Sequence, residues 1–589
     1  MLSNDPDQQA VLADTARRLL ITAPPGSGMT VTAILLAARD IDNDVVGPTQ
    51  RVLVLTFSLE ARAQLEAYAQ EFLAPQQRAR IEITNYHAWF WTKVHQFRSS
   101  LGLPLELELT TRQQHDNDVL SAMAKAGAAD KAAMSDYGLV LEHAVQGCLP
   151  ERLAAPLPLA AAVGNELRQI HRQGRLHYDD LAFYMWRLVS ESATLRHLWR
   201  HKYPVTILDE YQDSSAMQAK IVERFAGAGR TYAFADPLQM IYGWRDASPK
   251  RVDEFRARGA SSHTLNTLHR YRHRPHLRTW MEGVRDVLLA NGKVCPAPPE
   301  EVAVVGYDPT RKVRGEPYDI ASRDLWQLDA AISDAFKDPE IRSIAVLHRK
   351  HAHLERVERH LSQRFFCKRI RTARDTAEWV REWIDSYPIT TSDELKMGQL
   401  MAVALRIAPR NEDLQALRER IDVHGIRVDR LGERRKNLGI ALNAALPLWS
   451  NLAGACSAAR TVSRLVAAHE DPKLVATDAA HVVRTTLQLR EGLDDVAARE
   501  AVLNRLAQLR FRAEAREPRG LYLLTCHEAK GKEFDMVILP YVSATIFNDS
   551  DTESKQVLYV SLTRTRHRLL VRVAQGDVPA NCHAMGLNA

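Results

Sequence analysis

A glycine-rich segment between an apolar run and a helical pattern constrains the fold of this chain more than any other feature. Residues 21–30 read ITAPPGSGMT, and the apolar run that ends there has the composition of a buried strand. A strand–loop–helix unit of this kind presents backbone N–H groups at the start of its helix, where they can hold phosphate. The segment matches G-x-x-x-x-G-K-[ST] only loosely, because Met29 stands where the phosphate-gripping lysine is expected. Taken alone, the loop is weak evidence for a nucleotide site.

Length and composition limit the class of protein. At 589 residues the chain exceeds one hydrophobic core, so several domains are expected. Its 46% hydrophobic and 25% charged residues are typical of a globular protein. A formal charge of +6 favours an anionic partner such as nucleic acid without proving one. The sequence contains no signal-peptide pattern and no apolar run of about 20 residues, so we expect a cytoplasmic protein with no membrane partner.

The six cysteines are scattered without a C-x-x-C pair, which argues against a zinc ribbon or an iron–sulfur cluster. We expect them to be buried or neutral thiols.

Strand-like runs alternate with helical patterns along the chain, which predicts α/β units with large helical insertions. The mainly helical stretches fill residues 96–200 and 371–515. The strand-like runs lie at residues 19–22, 52–57, 205–208 and 344–347.

An acidic cluster follows the third of these strand-like runs, where residues 209–213 read DEYQD. A carboxylate at the end of a strand can hold Mg²⁺ directly or through water. The neighbouring carboxylate can polarise an attacking water. By themselves the same residues fit a solvated acidic turn about equally well.

Further segments extend this pattern to both ends of the chain. They are PDQQ at residues 6–9, LTFS at 55–58, TNYHA at 84–88, DPLQMIYGWR at 236–245, LHRYR at 268–272, LTCHEAKGKEF at 524–534 and LYVSLTRTR at 558–566. In this order they resemble the motifs of the UvrD/Rep-like superfamily 1A DNA helicases. One such match arises easily by chance, but a full set in family order does not.

The resemblance implies an α/β fold with two RecA-like (P-loop NTPase) cores, each interrupted by a mainly helical insertion subdomain. The implied first core comprises residues 1–95 and 201–262, with its insertion at 96–200. The implied second core comprises residues 263–370 and 516–589, with its insertion at 371–515.

The resemblance also implies a site for ATP and Mg²⁺. Thr30 and Asp209 would hold the metal, Glu210 would be the catalytic base, and Gln239 would sense the γ-phosphate. The phosphates would be cradled by the residues of the loop, namely Pro25, Gly26, Ser27, Gly28, Met29 and Thr30.

The remaining nucleotide contacts come from distant parts of the sequence. Gln8 would read the adenine edge, Tyr271 would stack on the adenine ring, and Glu533 would accept a ribose hydroxyl. Arg272 and Arg564 would neutralise the charge that develops on the transferred phosphoryl group.

Single-stranded and tailed duplex DNA are the partners that the resemblance implies, with movement in the 3′→5′ direction. Phe57 and Trp244 would stack on bases, which tolerates any base sequence. Trp89 and Trp91 are predicted to be core residues instead. The other implied DNA-binding residues are His87, Arg245, Thr525 and His527.

Met29 departs from the family pattern. Methionine roughly keeps the length of a lysine stem but loses its charge, so hydrolysis should be severely impaired even where nucleotide binds. A motor that had lost hydrolysis by drift should also lose Glu210, Gln239, Arg272 or Arg564, and all four are present.

Two hypotheses therefore stand side by side. One is a working helicase deliberately inactivated at residue 29. The other is a natural nucleotide- and DNA-binding subunit that does not cycle, such as a regulatory partner of a nuclease in phage defence or recombination. An RNA helicase is disfavoured only by analogy of the motifs.

Overall fold

The chain divides into two compact units in the computed structural model. The first contains Met1–Arg278 and Asp551–Tyr559, and the second contains Thr279–Ser550 and Val560–Ala589. The residues that the structure describes are 5–110, 112–125, 157–241, 248, 250–289, 294–308, 322–350, 354, 357–358, 360–361, 364–365, 367–368, 376–377, 379–381, 383–384, 392–409, 411–429, 432–469, 475, 477–489, 492–512 and 520–588.

A six-stranded parallel sheet forms the centre of the first unit, with strand order β3-β2-β6-β7-β1-β8. Strands β4 and β5 form a separate, short parallel pair. The strands are β1 (Arg18–Thr22), β2 (Val52–Thr56), β3 (Ile81–Asn85), β4 (Glu108–Leu109), β5 (Arg175–Leu176), β6 (Val205–Leu208), β7 (Arg230–Ala235) and β8 (Ser261–Thr264).

Both faces of this sheet are covered, which explains why its strands are continuous apolar runs rather than alternating ones. Side chains on a strand point alternately to opposite faces. Accordingly Leu19, Ile21 and Val54 pack in one hydrophobic cluster, whereas Leu20 and Leu55 pack in another. The sheet is therefore the middle layer of three, as parallel α/β folds require.

Helices supply the outer layers and the insertion of the first part of the chain. Trp89 is buried, with its ring centroid 5.1 Å from that of Phe225, and Trp91 packs on the same cluster, so their prediction as core residues is confirmed. Where the structure describes the chain up to residue 288, its helices are α1 (Pro6–Ala13), α2 (Met29–Asp42), α3 (Leu59–Phe72), α4 (Pro75–Arg78), α5 (Tyr86–Gln96), α6 (Arg112–Lys125), α7 (Leu157–His171), α8 (Leu181–Glu191), α9 (Ala193–Lys202), α10 (Ala216–Ala226), α11 (Lys250–Ala257) and α12 (Pro275–Leu288).

The second unit has its own six-stranded parallel sheet, with strand order β11-β14-β10-β15-β16-β9. A short antiparallel pair, β12 and β13, lies apart from it. These strands are β9 (Val302–Tyr307), β10 (Ser343–His348), β11 (Cys367–Lys368), β12 (Ile421–Asp422), β13 (Gly425–Ile426), β14 (Gly520–Thr525), β15 (Phe534–Val542) and β16 (Thr565–Ala574).

The described part of the chain between β11 and β14 is mainly helical and has its own apolar core, which includes Leu400, Cys456 and Val483. The remaining helices of the described residues are α13 (Ser322–Ala335), α14 (Asp393–Ile407), α15 (Glu412–Arg418), α16 (Glu433–Asn443), α17 (Leu452–His469), α18 (Thr477–Thr486), α19 (Asp495–Arg512), α20 (Thr552–Leu562) and α21 (Ala580–Ala584). The predicted α/β class with parallel cores is confirmed, because both sheets are parallel and carry helical insertions.

The exact limits of the predicted domains stay predictions. Strand β8 runs to Thr264 within the first sheet, across the predicted boundary at residue 262. Four of the cysteines are buried, as expected, and burial raises the pKa of Cys295 and Cys526 to about 11 and that of Cys456 and Cys582 to about 12. Within the described part of the chain, no helix has the length and apolar character needed to cross a membrane.

Candidate nucleotide-binding site

The glycine-rich loop connects β1 to α2, as its sequence predicts. Gly26 and Gly28 have φ angles of +83° and +87°, a left-handed conformation that favours glycine. Gly28 is the N-cap of α2, and its carbonyl accepts hydrogen bonds of 2.9 Å from both the backbone N–H and the hydroxyl of Thr32. Ser27 donates its hydroxyl to the carbonyl of Pro24 at 2.7 Å. The loop is thus fixed at both ends, with the first N–H groups of a 14-residue helix beside it.

Met29 is the first residue of α2 and is half-buried. Its side chain packs against the hydrophobic cluster that contains Val11, Leu19 and Ile21. A lysine at this position would place an ammonium group at the loop, whereas methionine contributes only apolar contact. The structure therefore gives Met29 a packing role and no charge.

Two neighbouring carboxylates follow strand β6. The N–H of Asp209 donates to the carbonyl of Leu55 at 2.8 Å, and its side chain accepts a 2.9 Å hydrogen bond from the hydroxyl of Thr56. Glu210 has a φ of +52°, one of two positive values among the described non-glycine residues. Such a conformation is costly for a residue with a side chain and is found at functional sites. The turn thus separates a buried carboxylate, Asp209, from the half-buried Glu210.

A chain of hydrogen bonds joins the predicted base Glu210 to the predicted γ-phosphate sensor Gln239. The amide of Gln212 donates to Glu210 Oε2 at 2.5 Å, and its Oε1 accepts from the backbone N–H of Asp236 at 3.1 Å. The carboxylate of Asp236 in turn accepts from Gln239 Nε2 at 3.1 Å. Gln212 and Asp236 are both fully buried. We identified neither as a site residue from the sequence, although each is a polar residue that follows a buried strand.

The predicted adenine-reading residue Gln8 contacts the loop directly. Its amide nitrogen lies 3.4 Å from the carbonyl oxygen of Ser27. Asp5 caps the same helix, α1, and its carboxylate lies 2.7 Å from His269 Nε2. Burial acts to raise the pKa of Asp5, but hydrogen bonds, first of all from the backbone N–H groups of Asp7 and Gln8, bring it below its ordinary value. The carboxylate of Asp5 thus caps α1, the helix whose residue Gln8 contacts the loop.

The turn at residues 269–272 also lies against the loop. The N–H of Arg270 donates to the carbonyl of Gly26 at 3.1 Å. Tyr271 is fully buried, so stacking on an adenine would require its ring to become accessible. Arg272 is exposed, and its Nε lies 2.9 Å from His273 Nε2. Sequence reasoning missed Arg270, although it lies inside a segment that was singled out.

Arg564 and Glu533 are placed in the second unit. Arg564 is buried, and its guanidinium donates to the carbonyl of Val560 at 2.9 Å and to the hydroxyl of Thr563 at 3.1 Å. Glu533 accepts a 3.1 Å hydrogen bond from Arg566. The roles predicted for both residues in nucleotide binding stay predictions.

The predicted DNA-binding residues are spread over several elements. Phe57 directly follows β2 and is half-buried, and His87 lies in the first turn of α5 with its ring 5.8 Å from that of Tyr178. In the second unit, Thr525 is buried and shares hydrogen bonds with Glu528. The half-buried His527 follows β14. Trp244 and Arg245 lie outside the described residues.

Comparison with known families covers segments of both units. The profile of the UvrD/REP helicase N-terminal domain matches residues 3–259, and that of the UvrD-like helicase C-terminal domain matches residues 520–571. Together the two profiles cover more than half of the chain. This chain belongs to the UvrD/Rep-like helicase family.

Individual members of the UvrD/Rep-like family are only distantly similar. The putative ATP-dependent DNA helicase YjcD of Bacillus subtilis is 25% identical over 275 residues, which are 45% of this chain and 36% of that protein. The ATP-dependent DNA helicase PcrA of Leuconostoc citreum is 24% identical, with 45% and 36% covered. ATP-dependent DNA helicase UvrD2 of Mycobacterium tuberculosis is 23% identical over 98% of this chain and 79% of its own length. The matches to YjcD and PcrA thus span about a third of those proteins.

Proposed function

We propose that this chain is an ATP-dependent DNA helicase or translocase that moves 3′→5′ on single-stranded DNA and unwinds duplex DNA. One observation carries the proposal. The residues that link Glu210 to Gln239 by hydrogen bonds follow strands β6 and β7. These strands lie in the same sheet as β1, which leads into the phosphate loop. The names of its relatives PcrA and UvrD2, which are ATP-dependent DNA helicases, support it further.

The side chains at the loop and after β6 suit Mg²⁺ and ATP. Hard oxygen ligands suit Mg²⁺, and Asp209 offers a carboxylate whose position is set by the hydroxyl of Thr56. Thr30, the second residue of α2, would be the other protein ligand. When bound, the metal would neutralise charge on the phosphate oxygens.

Glu210 would accept a proton from the attacking water, which requires the carboxylate to be ionised and correctly oriented. Gln212 donates to Glu210 and therefore limits its rotation. The same network ends at Gln239, so a change at the γ-phosphate would be transmitted to the base through two buried residues, Gln212 and Asp236. In our proposal this network couples nucleotide state to hydrolysis.

Turnover by the unaltered chain would be impaired because Met29 contributes no charge to the transferred phosphoryl group. Removal of one preorganised donor from such a site typically lowers the rate by about 100- to 1000-fold. The test is hydrolysis of Mg-ATP with and without single-stranded DNA, comparing the unaltered chain with Met29→Lys. Met29→Leu is the matched control, since it keeps apolar packing and adds no charge.

We expect only Met29→Lys to show strong, DNA-stimulated hydrolysis, and Glu210→Gln in that background to abolish it. The lysine variant should then unwind a duplex with a 3′ tail but not one with a 5′ tail. Equal unwinding of the 3′-tailed and the 5′-tailed duplex by the lysine variant would refute the direction of movement.

A second candidate is a subunit that binds nucleotide and DNA without cycling. The packing of Met29 against the apolar cluster favours it, because the loop is built around an apolar side chain at that position. Nucleotide and DNA binding by both the unaltered chain and Met29→Lys, with no hydrolysis by either, would support this candidate over the first.

A further inference from the structure

A cationic side chain other than the expected lysine lies against the phosphate loop. The backbone of Arg270 is fixed there by its 3.1 Å hydrogen bond to the carbonyl of Gly26. A methyl group built on Gly26 would lie 2.6 Å from Arg270 Cβ, 3.2 Å from Nε and 3.4 Å from Cζ. The stem of Arg270 and the start of its guanidinium therefore occupy the space that a side chain at position 26 would need.

The glycine at position 26 makes this approach possible. Its φ of +83° already disfavours any other residue, and a Cβ would collide with the stem of Arg270. The close packing holds the arginine stem in one place, so less conformational entropy is lost when the guanidinium binds an anion. Arg270 is half-buried and has interactions of its own, which a phosphate group would replace.

Neighbouring side chains of the same turn are less suited to the loop. His269 is engaged with the carboxylate of Asp5 at 2.7 Å. Arg272 points its Nε to His273 and is exposed, so its charge is more strongly screened by water. Of these three residues, Arg270 is the one whose side chain lies beside Gly26 of the loop.

We propose that Arg270 supplies the positive charge that binds the nucleotide phosphates in this chain, in place of a lysine at position 29. The inference rests on the proposed nucleotide site and deepens it. A guanidinium can bind two phosphate oxygens at once, which an ammonium group does less well. Since Arg270 approaches the loop from a different segment, it restores affinity for the triphosphate without restoring the lysine's contacts in the transition state. The chain would then bind ATP well and hydrolyse it slowly.

The experiment measures the Kd of Mg-ATP and of Mg-ADP for the unaltered full-length chain, by competition against a fluorescent ATP analogue. Arg270→Gln removes the charge, Arg270→Lys keeps it, and Arg256→Gln is the control. Arg256 is an exposed residue of α11 that pairs with Asp253 at 2.7 Å. Arg256→Gln lowers the net charge by the same amount as Arg270→Gln and leaves the loop unchanged.

We expect Arg270→Gln to weaken ATP binding by about 10- to 100-fold, the usual effect of losing a hydrogen bond to a charged group. Arg270→Lys should lose less, and Arg256→Gln should bind like the unaltered chain. The preference for ATP over ADP should also fall in Arg270→Gln. A purely structural loss would weaken both nucleotides alike.

The lysine variant makes the test specific. In the Met29→Lys background one cation is already at the loop. Arg270→Gln should therefore weaken ATP binding by about threefold or less there, a much smaller loss than with methionine at position 29. An equal loss in both backgrounds would overturn the inference, as would unchanged ATP binding by Arg270→Gln.

The outcomes also separate this inference from the proposed function. If the unaltered chain does not bind ATP, both are wrong. If it binds ATP independently of Arg270, only the role of Arg270 is wrong. Should Arg270→Gln fail to fold, the Arg270→Lys variant decides: retention of the preference for ATP supports the inference, and its complete loss contradicts it.

Discussion

Replacement of Gln212 by leucine should uncouple Glu210 from Gln239. Its free-energy cost follows from the hydrogen bonds that Gln212 makes. Gln212 is fully buried, so a leucine of similar volume fills the space but leaves two hydrogen bonds unmade. The buried N–H of Asp236 loses an acceptor, which costs about 1–3 kcal/mol. Glu210 is half-buried, so water can replace its lost donor and its share is about 1 kcal/mol or less.

The local part of this cost is measured best by hydrogen exchange, because unfolding of a chain with two units need not be two-state. A loss of 1–3 kcal/mol should speed exchange of the Asp236 amide by about 5- to 150-fold when exchange proceeds by local opening. In the Met29→Lys background the same substitution should lower kcat by about 10- to 100-fold, since the base loses its orientation. Gln218→Leu is the matched control.

Gln218 is also buried and also hydrogen-bonded, but it accepts from the N–H of Ser215 at the start of α10. Its replacement should lower stability without changing the exchange of the Asp236 amide or kcat. Equal effects of the Gln212 and Gln218 substitutions on both measurements would refute the coupling, as would an unchanged kcat in Gln212→Leu.

Three further predictions follow from the geometry of single residues. Gly28→Ala places a side chain at a φ of +87°, costs about 1–2 kcal/mol and should weaken ATP binding; unchanged binding would show that the loop is not the phosphate site. Burial acts to raise the pKa of Asp14, but hydrogen bonds from Ser261 and His263 lower it from 3.8 to about 2, so its contribution to stability should be complete above pH 3.8 and lost as the pH falls towards 2. The difference between the urea unfolding midpoints of the unaltered chain and Asp14→Asn should therefore shrink as the pH falls over that range. Cys456, whose pKa burial raises to about 12, should resist alkylation at about pH 8 in the folded chain and react after unfolding, whereas fast reaction of the native protein would contradict its burial.

Several features of the site were predictable because they depend on local chemistry. A left-handed glycine ahead of a helix, as at Gly28, and an acidic pair after a buried strand, as at Asp209, are short-range patterns that the sequence carries. Trp89 and Trp91 were predicted as core residues, and Trp89 is buried in the core with Trp91 packed against it. The order of the motifs then indicated the UvrD/Rep-like family.

Other features depend on residues that are distant in sequence. The hydrogen bond between Gln212 and Asp236 joins residues 24 positions apart, and the contact of Arg270 with Gly26 spans far more of the chain. Polar residues of the same types occur throughout the sequence, so composition and spacing did not single these out. Their roles emerge only when β6, β7 and β1 lie side by side in one sheet.

The sequence by itself determined the class of fold, the family and the identity of the residue that departs from it, Met29, because local periodicity and ordered motifs are properties of the linear chain. Tertiary structure decided which arginine lies beside the loop and which buried residues bond to the predicted base, Glu210. It also decided that the ring of Tyr271 is covered. The physical reason is that a hydrogen bond forms only at short range and the interaction between charges weakens with distance. Arg270 can therefore act at Gly26 only once folding has brought the two together.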